Sequence, residues 1–302
     1  MRARDLGVLF LAGPTASGKT DLAIALAERF DAEIVGADSR QIYRDMPIGT
    51  AAPSAAQLAR VPHHLIGFLD PRERYSAARF VHDARRAIDA IAARGRRAIV
   101  VGGTGFYLRA LAGDVALDAT YDPALRARLA AEARMHPPEV LADWLAALAP
   151  QRAAAIAPRD PYRVARALEI ALAGRAGEPV AREPLPALRP AGIPFVKLVL
   201  ETDPATLLAR IERRVDAMLA SGLVEEAERV GADAVAADAV GYRDALAYAA
   251  GWATAAELRT QLIRVTRRYA KRQATWFRSE PGVVRVSAAD CEAVARERLG
   301  WA

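Results

Sequence analysis

Short apolar runs alternate with longer amphipathic patterns on both sides of the middle of the chain. Runs at residues 8–12, 32–38, 97–101 and 196–200 are rich in small and aliphatic residues, as is typical of buried parallel strands. Helical patterns separate them: residues 76–94, for example, carry apolar side chains at three- and four-residue steps and end at a glycine. This alternation predicts an α/β fold built on a parallel sheet.

The first strand leads into a glycine-rich loop that is followed by a helical pattern. Two glycines bracket four residues and precede Lys and Thr, which is the phosphate-loop pattern. The loop consists of Gly13, Pro14, Thr15, Ala16, Ser17, Gly18, Lys19 and Thr20. Its N–H groups and the helix N-terminus would face an anion, Lys19 would reach a terminal phosphate, and the Thr20 hydroxyl would ligate Mg²⁺. The sequence predicts a di- or triphosphate site; a simple strand-to-helix turn is the alternative.

Two other strand ends carry candidate chemistry. Asp38 follows the second strand, and ligands bind at the carboxyl ends of parallel strands, so we expect its side chain near the loop. Its alternative role is to cap the next turn. The third strand ends in Gly102-Gly103-Thr104 instead of the Asp that helps to hold Mg²⁺ in nucleoside-triphosphate hydrolases. This weakens an ATPase interpretation and makes Thr104 a neutral donor beside the phosphate site.

The composition changes between about residues 118 and 190. Strand-like runs disappear, Ala, Arg and Leu dominate, and prolines punctuate the segment. We therefore predict a P-loop NTPase-like core, residues 1–117 and 191–302, with a small all-helical insertion at 118–190. Arg163, Arg166 and Glu169 share one helix face there, which fits either solvated salt bridges or a functional surface.

Arginines concentrate in two helical patterns near the C-terminus. The first carries Arg210, Arg213 and Arg214, a feature that kinases share with other phosphate enzymes. The second, residues 259–278, holds seven Lys or Arg residues, no acid and interleaved aromatic residues. Positions 264, 267/268, 271/272 and 275 follow one another at three- and four-residue steps, which predicts one basic helix face suited to a phosphate backbone and stacked bases. A solvated face with aromatic core contacts is the alternative.

Composition narrows the partners only slightly. A formal charge of +6 allows an anionic partner, but arginine replaces lysine at all but three positions, as a GC-rich genome would produce, so charge alone does not indicate nucleic acid. The single cysteine, Cys291, excludes an intrachain disulfide and a cysteine-based metal site. The adjacent His63 and His64 fit a structural pair better than a chelate. No apolar run approaches the ~20 residues of a membrane span and no signal peptide is evident, so we expect a cytoplasmic protein.

Six ordered motifs together resemble those of the bacterial tRNA dimethylallyltransferases, also called isopentenyl-tRNA transferases, of the IPP transferase family. The motifs are at residues 13–20, 37–44, 62–65, 101–104, 239–243 and 271–278. The resemblance implies that the exocyclic N6 amine of the adenosine 3′ of the anticodon attacks C1 of dimethylallyl diphosphate, and pyrophosphate leaves. It also implies Mg²⁺ dependence and a helical insertion that grips the anticodon stem-loop. We expect a monomer.

The resemblance assigns roles to single residues. The carboxylate aligned with Asp38 serves the adenine amine as general base or orienting acceptor, and Thr104 aligns with a residue at the reacting centre or bridging oxygen. Arg214 aligns with a cation that neutralises departing pyrophosphate, and Arg213 is an adjacent possibility. The loop then holds a leaving diphosphate, which accounts for the missing strand-end Asp.

The same resemblance implies a set of tRNA contacts along the chain. They are Asp38, Ser39, Arg40, Gln41, Thr104, Arg126, Tyr162, Arg163, Val164, Ala165, Arg166, Asp238, Ala239, Val240, Gly241, Tyr242, Arg243, Lys271, Arg272, Gln273, Ala274, Thr275, Trp276, Phe277 and Arg278. Two positions depart from the family pattern: Arg40 stands where many relatives have Met, and Gly105-Phe106 where many have Met-Leu.

Three alternatives to this function remain open from the sequence. An adenylate isopentenyltransferase would prenylate free AMP, ADP or ATP, but it would need neither the insertion nor the basic C-terminal helix. A nucleotide kinase would share the loop and the arginine helix, but the missing strand-end Asp and the RNA-like C-terminal helix argue against it. A non-catalytic RNA-binding protein would not need Lys19, Thr20 and Asp38 together.

Overall fold

The computed structural model describes residues 3–115, 117, 123–176 and 186–302. By internal contacts the chain divides into two compact units, residues 1–115 with 185–302, and residues 116–184. Residues 186–190, which the sequence assigned to the insertion, belong to the first unit. The Leu188 N–H donates to the Leu111 carbonyl, and the Arg189 N–H donates to the Ala112 carbonyl. Residue 118 lies outside the described residues.

A parallel sheet forms the centre of the first unit. In chain order its described strands are β1 (Val8–Ala12), β2 (Ala32–Gly36), β3 (His63–His64), β4 (Arg97–Gly102), β5 (Phe195–Leu200) and β6 (Val283–Val286). Their order across the sheet is β3-β2-β4-β1-β5-β6, and every pairing is parallel. β1 is therefore central, with Leu11 opposite Val101 on one side and Leu198 on the other. The predicted α/β class is confirmed; the short strands β3 and β6 were not predicted.

Helices cover the sheet and make up the second unit. They are α1 (Ala3–Leu6), α2 (Lys19–Arg29), α3 (Ala55–Leu58), α4 (Ala77–Ala93), α5 (Gly105–Ala112), α6 (Pro123–Met135), α7 (Pro138–Leu148), α8 (Pro150–Ala154), α9 (Pro161–Ala176), α10 (Pro204–Ala220), α11 (Leu223–Val230), α12 (Tyr242–Ala249), α13 (Ala255–Arg278) and α14 (Cys291–Leu299), with a 3₁₀ turn at Val235–Asp238. No helix within the described ranges is both long and apolar enough to cross a membrane.

Local capping explains where the helices nearest the site begin. The Asp203 side chain accepts the Thr206 N–H at the start of α10, with Pro204 at the first helical position. Thr254 and Glu257 form a reciprocal capping box at the start of α13. α13 then runs for 24 residues, long enough to contribute side chains to two separate recesses.

Two apolar clusters hold the first unit together. One joins the sheet to α2 and α14 and includes Leu11, Ile24 and Phe30, all nearly inaccessible to solvent. The other packs α10, α11, α12 and α13 around residues such as Val215 and Leu262. The arginine helix and the basic helix are thus fixed beside the carboxyl edge of the sheet.

The second unit has its own small core. Leu129, Leu141, Leu145 and Leu168 pack α6, α7 and α9 together. The buried Glu169 carboxylate pairs there with Arg126 at 3.0 Å and with Arg166. The sequence alternative supposed solvated salt bridges on this face; Arg166 does pair with Glu169, but that carboxylate is buried, and Arg163 pairs with Asp160.

Candidate active site

The glycine loop follows the central strand, so it lies at the middle of the carboxyl edge of the sheet. Gly18, the N-cap of α2, has φ 90° and ψ 13°, a left-handed conformation that glycine adopts without steric cost. The Ser17 N–H donates to the Pro14 carbonyl at 3.3 Å and closes the turn. The sequence therefore folds here as the phosphate-loop pattern predicts.

Lys19 bends back over its own loop. Its Nζ donates to the Pro14 carbonyl at 2.6 Å and lies 3.4 Å from Ser17 Oγ. Desolvation and the nearby Arg214 lower the pKa of Lys19 to about 7, against the opposing effect of Asp38. The charged ammonium is therefore poorly compensated in the loop, and a bound anion would stabilise it.

Helix α10 contacts the loop through two of its three arginines. Arg214 Nη1 donates to Thr15 Oγ1 at 2.8 Å, and Arg210 Nη1 donates to the Ser17 carbonyl at 3.0 Å. Desolvation lowers the pKa of Arg214, and the Asp38 carboxylate partly offsets that effect. Arg213 is exposed and makes no contact with the loop within the described structure. Of the two adjacent candidates, Arg214 is the one that contacts the glycine loop.

The ends of β2 and β4 are tied together beside the loop. A side chain at Gly102 would overlap the Ala37 backbone, so glycine permits the close approach of these segments. The Ser39 N–H donates to Thr104 Oγ1 at 2.9 Å, and the Thr104 hydroxyl lies 3.3 Å from Ser39 Oγ. Thr104 thus fixes the segment that follows Asp38.

Asp38 caps the turn after β2, and it also lines the cavity beside the glycine loop. Its Oδ1 accepts the N–H groups of Arg40 at 2.9 Å and Gln41 at 3.4 Å, so one oxygen caps the turn. Among the described residues, Oδ2 has no hydrogen-bond partner. The second oxygen is free to accept a hydrogen bond from a ligand.

A cavity of about 450 Å³ brings these groups together. Lys19 and Thr20 come from the loop, Asp38 from the end of β2 and Arg214 from α10. A different part of the wall is apolar and consists of Val215, Met218, Leu223 and Leu262. Helix α13 adds Tyr269 and Arg272, whose guanidinium lies 5.6 Å from the Tyr269 ring centroid. Cations, the carboxylates of Asp21, Asp38 and Asp238, an aromatic ring and an apolar patch therefore line one cavity.

Several of the implied RNA contacts also line this cavity. They are Asp38, Ser39, Arg40, Gln41, Asp238, Ala239, Val240, Arg272 and Gln273. Arg40 pairs with Asp238 at 2.9 Å, which gives this departure from the family pattern a local partner. Thr104 does not line the cavity itself, but its neighbour Gly103 does.

Other residues that the resemblance implies as RNA contacts have side chains that pack or form hydrogen bonds inside the protein. Tyr242 is fully buried and its hydroxyl donates to Glu226 Oε1 at 2.6 Å. Phe277 and Val164 belong to the apolar cores of their units. Gln273 borders the cavity, but its side-chain amide accepts the Thr15 N–H and donates to the Gly103 carbonyl.

The remaining implied contacts lie outside the cavity. Gly241 is the N-cap of α12, and Arg243, Thr275 and Tyr162 are exposed. Trp276 packs against Arg109, whose guanidinium lies 4.4 Å from its ring centroid. A side chain at Gly105 would overlap the Trp276 ring, so this departure from the family pattern makes room for that contact. Arg163 and Ala165 lie on α9 of the second unit.

The opposite face of α13 borders a broad open groove of about 1530 Å³. Its basic side chains are Arg259, Arg264, Arg267, Arg268, Lys271, Arg278 and Arg285. Arg259 pairs with Asp216 at 2.6 Å and Arg285 lies 3.9 Å from Glu201. Within the described part of the chain, Arg264, Arg267, Arg268 and Lys271 have no acidic partner. The sequence grouped Arg272 with them, but Arg272 lies on the cavity side.

The oxygen atoms of the cavity side chains fit a magnesium ion only if a bound phosphate compound supplies most of the metal's ligands. The described residues contain no cluster of three or more His, Cys, Asp or Glu that could hold a metal ion. Mg²⁺ commonly takes one or two protein ligands and fills its shell with phosphate oxygens and water. Thr20 in the cavity wall meets that requirement.

This chain is similar to known proteins along most of its length. The model of the IPP transferase family matches residues 41–280, and that of an isopentenyl transferase family matches residues 6–72. A tRNA dimethylallyltransferase of Thiobacillus denitrificans is 47% identical over 286 residues, which are 91% of this chain and 90% of that protein. The tRNA dimethylallyltransferase 1 of Citrifermentans bemidjiense is 45% identical over 92% of this chain and 91% of its own length.

Solved structures extend the similarity to the fold. The full-length tRNA isopentenylpyrophosphate transferase of Bacillus halodurans superposes with a TM-score of 0.69 at 35% identity, covering 98% of this chain and 97% of that one. A eukaryotic dimethylallyltransferase acting on tRNA gives a TM-score of 0.74 at 25% identity, covering 95% of this chain and 75% of its own. Sequence, fold and site geometry lead to the same assignment: this chain belongs to the IPP transferase family.

Proposed function

We propose that this chain transfers the dimethylallyl group of dimethylallyl diphosphate to N6 of the adenosine 3′ of the anticodon in tRNA, with release of pyrophosphate. The observation that carries the proposal is the meeting of Lys19, Asp38 and Arg214 in one cavity. Phosphate-binding cations and a carboxylate with one free oxygen are what this displacement requires. The relatives named tRNA dimethylallyltransferase support the same activity.

The diphosphate binds in the glycine loop, residues Gly13 to Thr20. The remaining loop N–H groups and the N-terminus of α2 face its oxygens, and Lys19 turns from its own loop to the anion. As the C1–O bond breaks, the electron pair leaves with pyrophosphate, and Arg214 and Lys19 stabilise the growing negative charge. Mg²⁺, held by Thr20 and the phosphate oxygens, would neutralise further charge on the leaving group.

Asp38 serves the nucleophile. The adenine N6 amine is weakly nucleophilic because its lone pair is delocalised into the ring, so removal of a proton during attack lowers the barrier. The nitrogen forms its bond to C1 while its proton passes to the Asp38 carboxylate and then to solvent. Thr104, hydrogen-bonded to Ser39, holds this segment in place.

Helix α13 and the segment at Asp238 to Val240 receive the RNA. The target base leaves the loop stack and enters the cavity, where Tyr269 and Arg272 offer an aromatic ring and a guanidinium plane. The isoprenoid contacts the apolar wall at Val215, Met218, Leu223 and Leu262. The second unit grips the anticodon stem-loop, and the enzyme acts as a cytoplasmic monomer.

A prenyl-transfer assay tests the proposal directly. Purified protein with Mg²⁺ and labelled dimethylallyl diphosphate should transfer label to an anticodon stem-loop hairpin, but not to the same hairpin with guanosine at the target position. Transfer to free AMP instead would favour an adenylate isopentenyltransferase. Phosphate exchange between ATP and a nucleotide would favour a kinase, and intact diphosphate after incubation with the hairpin would contradict all prenyl transfer.

A further inference from the structure

Gln273 connects three elements of the site through a single buried amide. Its Oε1 accepts the Thr15 N–H at 2.8 Å, and its Nε2 donates to the Gly103 carbonyl at 2.9 Å. The residue is 6% exposed. Each polar end of the amide thus makes a hydrogen bond to the backbone inside the protein. The phosphate loop, the turn after β4 and helix α13 meet at this side chain.

The fit around this amide is tight on the side of the turn. Any side chain at Gly103 would overlap Gln273 Nε2, so the amide lies directly against the Gly103 backbone. Gly103 does not need a left-handed conformation, so the absence of a side chain there serves the contact with Gln273. The pair Gly103 and Gln273 is therefore one packing unit made by residues 170 apart in sequence.

Thr15 is held from two helices at once. Gln273 of α13 binds its backbone N–H, and Arg214 of α10 binds its hydroxyl at 2.8 Å. The Thr15 N–H is consequently not available to a phosphate, and the other loop N–H groups must be directed by the way this residue is fixed. Removal of the Gln273 amide leaves the Thr15 N–H and the Gly103 carbonyl without partners and frees this end of the loop.

We propose that Gln273 is a positioning residue for the diphosphate: it holds the Thr15 end of the phosphate loop against the Gly103 turn and does not contact RNA. This inference rests on the proposed diphosphate site and departs from the tRNA contact that the family resemblance implies for Gln273. The neighbouring Arg272 retains its place in the cavity wall. Two consecutive residues of α13 then have different roles: Arg272 binds RNA, and Gln273 positions the phosphate loop.

Two binding measurements separate the alternatives. Binding of inorganic pyrophosphate with Mg²⁺ is measured by calorimetry without RNA, and hairpin binding is measured by fluorescence anisotropy without diphosphate. We expect Gln273→Leu to weaken pyrophosphate binding about tenfold, the effect of one or two lost hydrogen bonds, and to leave hairpin affinity within about twofold. The KM for dimethylallyl diphosphate should rise by a similar factor while the KM for the hairpin stays unchanged. Gln261→Leu, the same change earlier on α13, should alter none of these values.

A second variant reaches the same contact from the other side. Gly103→Ala should displace the Gln273 amide without altering α13, and the double variant should bind pyrophosphate about as weakly as either single one, because both remove one shared contact. Additive losses would contradict the shared contact. A loss of hairpin affinity with normal pyrophosphate binding, unchanged binding of both, or equal loss of both with a lower melting temperature would overturn the proposal. Failure of the parent protein to bind pyrophosphate would instead remove the proposed diphosphate site itself.

Discussion

Helix α13 separates two recesses whose charges are arranged in opposite ways. On one side, the enclosed cavity of about 450 Å³ holds Lys19, Arg214 and Asp38 close together and partly out of water. On the other side, the open groove of about 1530 Å³ exposes Arg264, Arg267, Arg268 and Lys271 to solvent without acidic partners in the described structure. One helix thus borders a smaller cavity that holds partly desolvated charges and a broad groove that holds exposed ones.

The difference between the recesses lies in desolvation. In the cavity, loss of water lowers the pKa of both Lys19 and Arg214, so their charged forms are costly until an anion arrives. Such groups act strongly on a charge that develops in a reaction. The groove cations stay hydrated, and each adds only a modest, salt-sensitive attraction for a polyanion. Changes in the cavity should therefore affect the chemical step, and changes in the groove should affect RNA affinity.

The largest effect is expected at Asp38. Asp38→Ala should reduce turnover by ~10²–10⁴-fold while hairpin affinity stays nearly constant, because the general base is lost. Asp38→Asn retains an oxygen that can cap the Arg40 and Gln41 N–H groups, so it separates the two roles of the carboxylate. Single-turnover prenyl transfer at saturating substrates is the measurement.

The Asn variant decides between base and cap. If Asp38 acts as base, Asn should be nearly as slow as Ala, whereas Asp233→Ala, an exposed acid at a distance in sequence, should match the parent. A fast Asn variant beside a slow Ala variant would mean that only the turn cap matters.

The next effect concerns two adjacent arginines of α10. Arg214→Gln should lower kcat by about 10²-fold, since it removes a cation that stabilises the leaving diphosphate in a desolvated site. Arg213→Gln makes the same change one residue earlier, at an exposed position, and should leave kcat within about twofold. Steady-state kinetics with the hairpin saturating measures both. Equal losses in the two variants would point to the overall charge of α10 instead of a contact at Thr15.

Sequence patterns were most informative where a motif dictates local backbone geometry. The glycine loop, Asp38 at the end of β2 and the parallel sheet follow from short-range rules about turns and apolar runs, and each was predictable. The division of labour within α13 was not. Neighbouring residues on a helix point about 100° apart, so Lys271 and Arg272 look equivalent in a basic pattern. The packing of α13 against α10 decides which of these two side chains enters the cavity. The two helices are joined by the Arg259–Asp216 pair, whose members are 43 residues apart in sequence.

Long-range contacts account for the other features that the sequence did not indicate. The Gln273 amide gains its role only from residues 258 and 170 positions away, and no local pattern marks it. Tyr242 lies in an implied RNA-binding motif, yet Glu226 and the apolar cluster of α10 to α13 bury it. The choice of Arg214 over Arg213 likewise depends on the direction of α10 relative to the loop. Each case reflects how preformed elements pack, which short-range patterns do not encode.

The smallest effect is expected in the groove, where it should appear as a change in salt dependence. Replacement of Arg267, Arg268 and Lys271 by Ala should weaken hairpin binding about tenfold at moderate salt. The plot of log affinity against log salt should also become less steep by about 2, because each lost phosphate contact contributes ~0.7–0.9 to the magnitude of its slope. Turnover at saturating hairpin should not change. The matched control replaces Arg29, Arg60 and Arg96, which pair with Glu292, Glu28 and Asp31 and carry the same total charge. If the control variant loses as much slope as the groove variant, overall charge and not the groove attracts the RNA, because the two variants remove the same charge and differ only in where it lies.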